Sequence, residues 1–186
     1  MTNEIFISTT TQRILAYLAI HSAEEFTEKE ISRRTGVKKS ATNLALRNLV
    51  RTDLISRRKI GRSSLFKADI SENLIREIKV LITKEKLSPL VKKLKKTSKK
   101  IALFGSAAAG TNTKDSDIDL LILSPSFAKM TTDKRFDLLY TSRTSPLTQN
   151  VAMDIFGLTP KEYNQASNLS IVGEIKENGR EVFPQV

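Results

Sequence analysis

The sequence predicts a protein of mixed α+β and α/β class, in which a helical domain ending in a β-hairpin precedes a domain of alternating helices and strands. Near the amino terminus, apolar residues recur at helical spacing and are followed by two short apolar runs around a glycine turn. Beyond residue 100, short apolar runs alternate with helical segments, which is typical of a domain built on a small mixed sheet. The 186 residues suit two small domains, predicted at 1–70 and 89–186, with a connecting helix at 71–88.

The composition favours a soluble chain that binds a polyanion. Hydrophobic residues make up 39% and charged residues 27% of the chain, and the net charge is +11. Such a surplus attracts nucleic acid, but it can also serve solubility alone, so the placement of the charge must decide. The absence of cysteine excludes disulfides and thiolate metal sites and fits the cytoplasm. No apolar run reaches the ~18 residues that span a bilayer, and residues 1–8 do not resemble a signal peptide, so no membrane contact is expected.

Three helices and a hairpin are predicted in the first domain. The first helix covers the apolar run 14–20, and the second begins at the capping box Thr27–Glu30 and ends near Gly36. A third helix is predicted over about 38–51, and a hairpin follows over 54–66. Three helices followed by a hairpin describe a winged helix-turn-helix.

Basic residues are concentrated in this first domain. Between residues 29 and 67 they far outnumber the acidic residues, so most of the surplus charge lies where a winged helix meets DNA. The segment 35–41 resembles the turn and recognition-helix start of MarR- and ArsR-like regulators. Double-stranded DNA is the expected partner and a homodimer the expected form, while the alternative is a winged helix that serves dimerisation or protein contact. The residues expected to contact bases or phosphates are Lys38, Lys39, Ser40, Asn43, Arg47, Arg57, Arg58, Lys59 and Arg62.

The connecting helix is expected to stop at Ser88–Pro89, because proline suits the first turn of a new helix. Lysines crowd the following segment, 92–100. They can extend a nucleic-acid surface or form a solvated helix face, and the second interpretation is slightly favoured.

A phosphate-binding feature is expected where the first strand of the second domain ends. The apolar run Ile101–Phe104 leads into Gly105–Ser106, and Ala107–Ala109 then favour helix. Amides at a helix start attract phosphate, and glycine lets it approach the backbone closely. Because Gly-Ser pairs are common, this indication is weak by itself.

Two aspartates begin the second predicted strand. Asp117 and Asp119 are two residues apart and would share one face of a strand. Two carboxylates at that spacing repel by roughly 4 kcal/mol at an effective dielectric near 20, so a cation is expected between them. Oxygen ligands suit Mg²⁺ or Mn²⁺. The alternative is a solvated strand end with two ordinary aspartates.

Asp154 supplies a third carboxylate within the apolar run 151–156, which predicts the third strand. An aspartate inside a buried strand is costly unless it is paired or metal-bound. If this strand lies beside the second, Asp154 converges on Asp117 and Asp119, and three carboxylates can hold two metal ions. Asp154 would then be the best candidate for the general base, or for orienting the acceptor hydroxyl.

Gly105–Ser106 followed by Asp117-x-Asp119 resembles the signature of the DNA polymerase beta-like nucleotidyltransferases. The surrounding residues are especially similar to the minimal nucleotidyltransferases often encoded beside HEPN toxins, and 171–183 resembles their closing helix and strand. The resemblance covers most of residues 90–186. It implies transfer of a nucleoside monophosphate from an NTP, with ATP expected, to a hydroxyl with Mg²⁺ and release of pyrophosphate. It also implies that Gly105 and Ser106 hold the triphosphate.

One departure from that family follows Ser106. Many relatives carry an arginine there, where this chain has Ala107–Ala109, and weaker binding of triphosphate or substrate is expected without that cation. Two functions therefore remain open. One is a DNA-binding nucleotidyltransferase, whose acceptor is a small molecule or a protein such as a HEPN-like toxin. The other is an antitoxin-like winged-helix transcriptional regulator whose second domain binds nucleotide without turnover.

Overall fold

Helices and short strands follow one another in a computed structural model, which describes residues 9–143, 152–166 and 170–182. The chain divides into two units, Met1–Ile82 and Thr83–Val186, each with its own sheet and apolar core. The mixed class predicted from the sequence is confirmed, since helices and a small sheet occur in each unit.

The first unit contains the helices and the hairpin that the sequence predicts. Its helices are α1 (Thr10–Ile20), α2 (Glu28–Thr35) and α3 (Lys39–Arg51), and its strands are β1 (Phe26–Thr27), β2 (Ile55–Ile60) and β3 (Ser63–Ala68). The strands form an antiparallel sheet in the order β1-β3-β2. Residues 61 and 62 join β2 to β3, and Gly61 has a φ of 54° there.

Short-range capping explains where α1 and α2 begin. Thr9 and Gln12 form a capping box at α1, and Thr27 and Glu30 form the predicted one at α2. The Thr27 amide donates to the Glu30 carboxylate at 2.8 Å, and the Glu30 amide donates to the Thr27 hydroxyl at 3.3 Å. At its other end α2 stops at Gly36, whose φ of 68° is accessible to glycine at little cost.

The core of the first unit lies between its helices and one face of its sheet. Removing these apolar side chains from water supplies the main driving force for folding this unit. The largest buried members are Ile14, Leu18, Phe26, Ile31, Leu46, Leu49, Phe66 and Ile75.

The next helix, α4, runs without interruption from Asn73 to Leu94, so the predicted break at Ser88–Pro89 is wrong. A proline inside a helix removes one backbone hydrogen bond. Here Leu87, Leu90 and Leu94 on the same helix are buried, and their packing in the core outweighs that loss. Among the described helices, none is long and apolar enough to cross a membrane.

A four-stranded mixed sheet organises the second unit. Its strands are β4 (Lys100–Phe104), β5 (Ile118–Leu123), β6 (Met153–Leu158) and β7 (Arg180–Glu181), in the order β6-β5-β4-β7. Only the β5–β6 pair among these strands is parallel, so the chain must cross over between them. The helices of this part of the chain are α5 (Gly105–Ala109), α6 (Thr132–Arg143), α7 (Pro160–Gln165) and α8 (Ser170–Asn178). The predicted strand start at Val151 lies outside the described residues.

The two faces of this sheet have different cores. On one face, Leu120 and Ile122 pack with Phe127 and Leu139, the latter on α6. On the other face, Leu121 packs with Phe104 and with Ile175 of α8. This alternation follows from the strand period of two, and it gives the second face a separate, smaller core.

A capping box at α7 is tied to α6 by an ion pair. The Thr159 amide donates to the Glu162 carboxylate at 2.7 Å, and Arg135 donates to the same oxygen at 3.0 Å. The Arg135 hydrogen bond, followed by the Thr159 amide, lowers the pKa of Glu162 to about 2. Thr159 and Glu162 therefore start α7, and the Glu162 carboxylate also joins α7 to α6.

We expect Glu162→Gln to make the second unit less stable at neutral pH. Since the pKa of Glu162 falls from 4.5 to about 2 on folding, its contribution is present above pH 4.5 and is lost as the pH falls toward 2. The loss should be no more than about 1 kcal/mol, because the side chain is partly exposed and screened by solvent. Urea unfolding at pH 7 and pH 3 measures it, with Glu177→Gln on α8 as the control. A stability gap of equal size at both pH values would contradict the assignment.

Candidate functional site

Asp119 lies on the central part of the second unit's sheet, with a neighbour on each side. Its backbone pairs with Phe104 of β4 and with Asp154 of β6. Directly paired residues project from the same face of a sheet, so the two carboxylates lie on one face. The prediction that the third strand lies beside the second is thus confirmed.

Gly105, at the end of β4, is in close contact with Asp119. Its φ of 61° is in the left-handed region, and a β-carbon at this position would overlap the Asp119 Oδ2 atom. Both observations require glycine here. The turn from β4 into α5 therefore lies directly against one carboxylate oxygen of Asp119.

The negative charges around Asp119 make its carboxyl group harder to ionise. Burial, and then the charges of Asp154, Asp117 and Glu174 in that order, raise the pKa of the Asp119 carboxyl. Glu174 is an exposed residue of α8 that the sequence did not indicate as a site residue. Its sequence neighbourhood carries no motif, and only the packing of α8 against α5 and β4 brings it near Asp119.

Two details of the predicted site are corrected. The strand begins at Ile118, so Asp117 precedes it, and alternation along the strand does not place the Asp117 side chain. Asp154 was expected inside a buried strand, but its side chain is exposed. The reason is that successive side chains of β6 project from opposite faces, so Met153 is buried while Asp154 projects from the other face.

The charges of the carboxylates affect one another, but the side chains do not form a compact ligand set. Among the described residues, no three acidic or histidine side chains already have the spacing of a metal site. The donor set nevertheless fits a hard divalent cation, since it consists of carboxylate oxygens, which Mg²⁺ and Mn²⁺ prefer.

The alanines after Ser106 belong to the core. All three belong to α5, where Ala107 and Ala108 are buried and Ala109 is exposed. An arginine at either buried position would not fit, so among the three only position 109 can present a cation to solvent. The carbonyl of half-buried Ser106 accepts from the Thr111 amide at 3.0 Å and thereby holds the following loop.

A second candidate site, which we call the basic cleft, lies in the first unit. It has a volume of about 710 Å³ between α3, the start of α2 and the β2–β3 hairpin. Its floor includes the apolar residues Leu46, Val50 and Phe66. The basic side chains that line it are Lys29, Lys39, Arg47, Arg51, Arg57 and Arg62. Lys29 and Arg51 were absent from the predicted contact set, although the charge of the segment already indicated them.

Most of the predicted DNA-contacting residues are exposed. Lys38, Lys39, Ser40 and Arg47 lie at the start and on the outer face of α3, and Arg57, Lys59 and Arg62 lie on the hairpin. Three of the predicted residues have partners within the unit. Arg57 donates to the Ser64 hydroxyl at 3.1 Å. Asn43 donates to the Glu28 carboxylate at 2.7 Å, and Arg58 forms an ion pair with Glu25.

We expect Gly105→Ala to destabilise the second unit and disturb its carboxylate site. A side chain at this φ costs roughly 1–3 kcal/mol, and the new methyl group would also displace the Asp119 carboxylate. Thermal unfolding measures the loss. The matched control is Gly173→Ala on α8, where a β-carbon meets no atom within 4 Å and should be neutral or slightly stabilising. Equal unfolding temperatures for the two variants would show that Gly105 is not constrained as described.

Comparison with known proteins identifies the second unit. The family model for the nucleotidyltransferase domain matches residues 84–180. Among proteins with curated descriptions, none matches the chain. A provisionally assigned nucleotidyltransferase from Sulfolobus solfataricus, solved at 1.40 Å resolution, is 19% identical with a TM-score of 0.36, over 48% of this chain and 75% of that one. Because the family model spans more than half of the 186 residues, the chain belongs to the DNA polymerase beta-like nucleotidyltransferase domain family.

Proposed function

We propose that the second unit transfers a nucleoside monophosphate from an NTP, with ATP as the first candidate, to a hydroxyl acceptor. The observation that carries the proposal is the contact of the Gly105 turn with Asp119, beside Asp154 on the neighbouring strand. A phosphate-binding turn and a carboxylate pair at one point are the parts that phosphoryl transfer requires.

Each residue has a separate role in this proposal. Gly105 and Ser106 bind the triphosphate, and Asp117, Asp119 and Asp154 would hold Mg²⁺ or Mn²⁺. When bound, the cation offsets charge on the phosphates and lowers the pKa of a coordinated hydroxyl. The acceptor oxygen bonds to the α-phosphorus as the bond to the β-phosphate breaks and pyrophosphate leaves. Asp154, which is exposed, orients the acceptor hydroxyl and takes its proton.

We expect Asp119→Asn to abolish transfer while making the protein more stable. The folded state raises the pKa of Asp119, so the stability lost to its ionisation grows as the pH rises above 3.8 and is complete above the raised pKa. Removing the charge should therefore raise the melting temperature at pH 7.5 and raise it less at acidic pH. Melting without metal and transfer from α-labelled ATP with Mg²⁺ are the two measurements. Asp115→Asn, in the exposed preceding turn, is the control.

A second function is favoured by the buried alanines after Ser106. Without a cation at those positions, the site can bind nucleotide and still fail to stabilise the transferred phosphoryl group. The second unit would then act as a nucleotide sensor in an antitoxin-like regulator. Metal-dependent ATP binding without transfer to any protein or small-molecule acceptor would support this function. Absence of ATP binding would exclude both.

We further propose that the first unit is a winged helix that binds double-stranded DNA. The proposal is supported by the order of its elements, with α2 and α3 joined by a tight turn and followed by a hairpin. The basic cleft lies between the helix and the hairpin, where phosphates would approach. Lys38, Ser40 and Arg47 are exposed and free to face the major groove, whereas Asn43 would read a base while held by Glu28.

We expect Lys39→Ala/Arg47→Ala to weaken binding to duplex DNA by roughly tenfold or more and to reduce its salt dependence. Both side chains line the basic cleft. The control with the same loss of charge is Lys92→Ala/Lys93→Ala on α4, where the exposed lysines are interpreted as a solvated face. Fluorescence anisotropy at several salt concentrations gives both quantities. If the control weakens binding as much as the cleft variant, the proposed surface is wrong.

A further inference from the structure

We infer that Phe156 forms the surface on which the base of the nucleoside triphosphate stacks. The inference rests on the proposed transfer function of the second unit, because it names the part of that site that binds the nucleoside. Carboxylates and a phosphate-binding turn account for the triphosphate end of the substrate, but they leave the base without a partner.

Phe156 lies on β6 two residues beyond Asp154. Side chains two apart on a strand project from the same face, about 7 Å from each other. The backbone of Phe156 pairs with Leu121, one pair beyond the Asp119–Asp154 pair. The ring is therefore on the carboxylate face, at a distance that a ribose can span.

The exposure of Phe156 is unusual for a large apolar ring on a sheet. Its relative exposure is 38%, whereas Phe104 on β4 is 5% exposed. The two ring centroids are 5.6 Å apart at an interplanar angle of 64°. Since β5 separates β4 from β6, the rings must lean toward each other across it, and Phe104 supports Phe156 while part of the Phe156 side chain stays exposed.

The opposite face of β6 is closed. A β-carbon on the adjacent Gly157 would come within 2.8 Å of Leu139 and 3.1 Å of Phe127. That side of the strand is therefore packed against α6 and the segment before it. The Phe156 ring projects from the carboxylate face, so an incoming base reaches it on the side of the sheet where the reacting groups are.

Stacking recognises the π-face that every base shares, and it supplies little discrimination by hydrogen bonding. The larger purine rings gain more from it than pyrimidines do. We therefore expect ATP and GTP to bind more tightly than CTP and UTP, with a modest difference between the two purines.

The test compares ligands with and without a base on the full chain. Isothermal titration with Mg²⁺ measures the dissociation constants of ATP and of inorganic tripolyphosphate. Phe156→Leu keeps apolar volume against Phe104 but removes the π-face, and it should weaken ATP binding by about tenfold while leaving tripolyphosphate unchanged. Phe156→Trp should restore ATP affinity. The control is Phe136→Leu on α6, which is 54% exposed and lies on the helix that packs on the other face.

The outcomes distinguish failure of the proposed transfer function from failure of the stacking role of Phe156. If the parent chain binds neither ATP nor tripolyphosphate, the proposed function fails. If both ligands bind the parent and Phe156→Leu binds ATP as tightly as the parent does, the stacking role is overturned and the function stands. Equal loss of ATP and tripolyphosphate in Phe156→Leu would assign the residue to the phosphate site and also overturn the inference.

Discussion

Repulsion among carboxylates on one face of a sheet is the constraint that shapes the second unit. Asp119 is held by hydrogen-bonded strands on both sides, so it cannot move away from Asp154, and Asp117 and Glu174 add to the same field. The protein retains this unfavourable arrangement because the surrounding strands are buried and resist displacement. Stability lost at such a position is characteristic of groups that are arranged for a ligand or a reaction.

Local signals in the sequence predicted the elements well. The capping boxes at Thr27 and Thr159 depend on residues three apart, and Gly36 ends α2 through its own backbone preference. Three strands of the second unit, β4, β5 and β6, followed from short apolar runs, whereas the closing strand was expected only from the family resemblance. Pro89 was the exception, because its local preference opposed burial of its neighbours, and packing against the core prevailed.

Features that depend on distant residues could not be predicted in the same way. The apolar neighbours of Asp154 indicated burial, but its exposure depends on what packs on the face of β6 from which it projects. Glu174 reaches Asp119 only through the packing of α8, and the Asn43–Glu28 hydrogen bond joins two helices. Motif spacing could therefore indicate the carboxylates at positions 117, 119 and 154, but not their surroundings.

Asp119 lies on a central strand of the described sheet and Asp154 on an edge strand, so the backbone restrains the two carboxylates to different degrees. A central strand is hydrogen-bonded along both sides, whereas an edge strand is restrained along one. The backbone around the carboxylate on β5 is thus more firmly restrained than the backbone around the one on β6. In the proposed transfer reaction, this difference would keep the geometry at the NTP constant and let the side that receives the acceptor hydroxyl adapt.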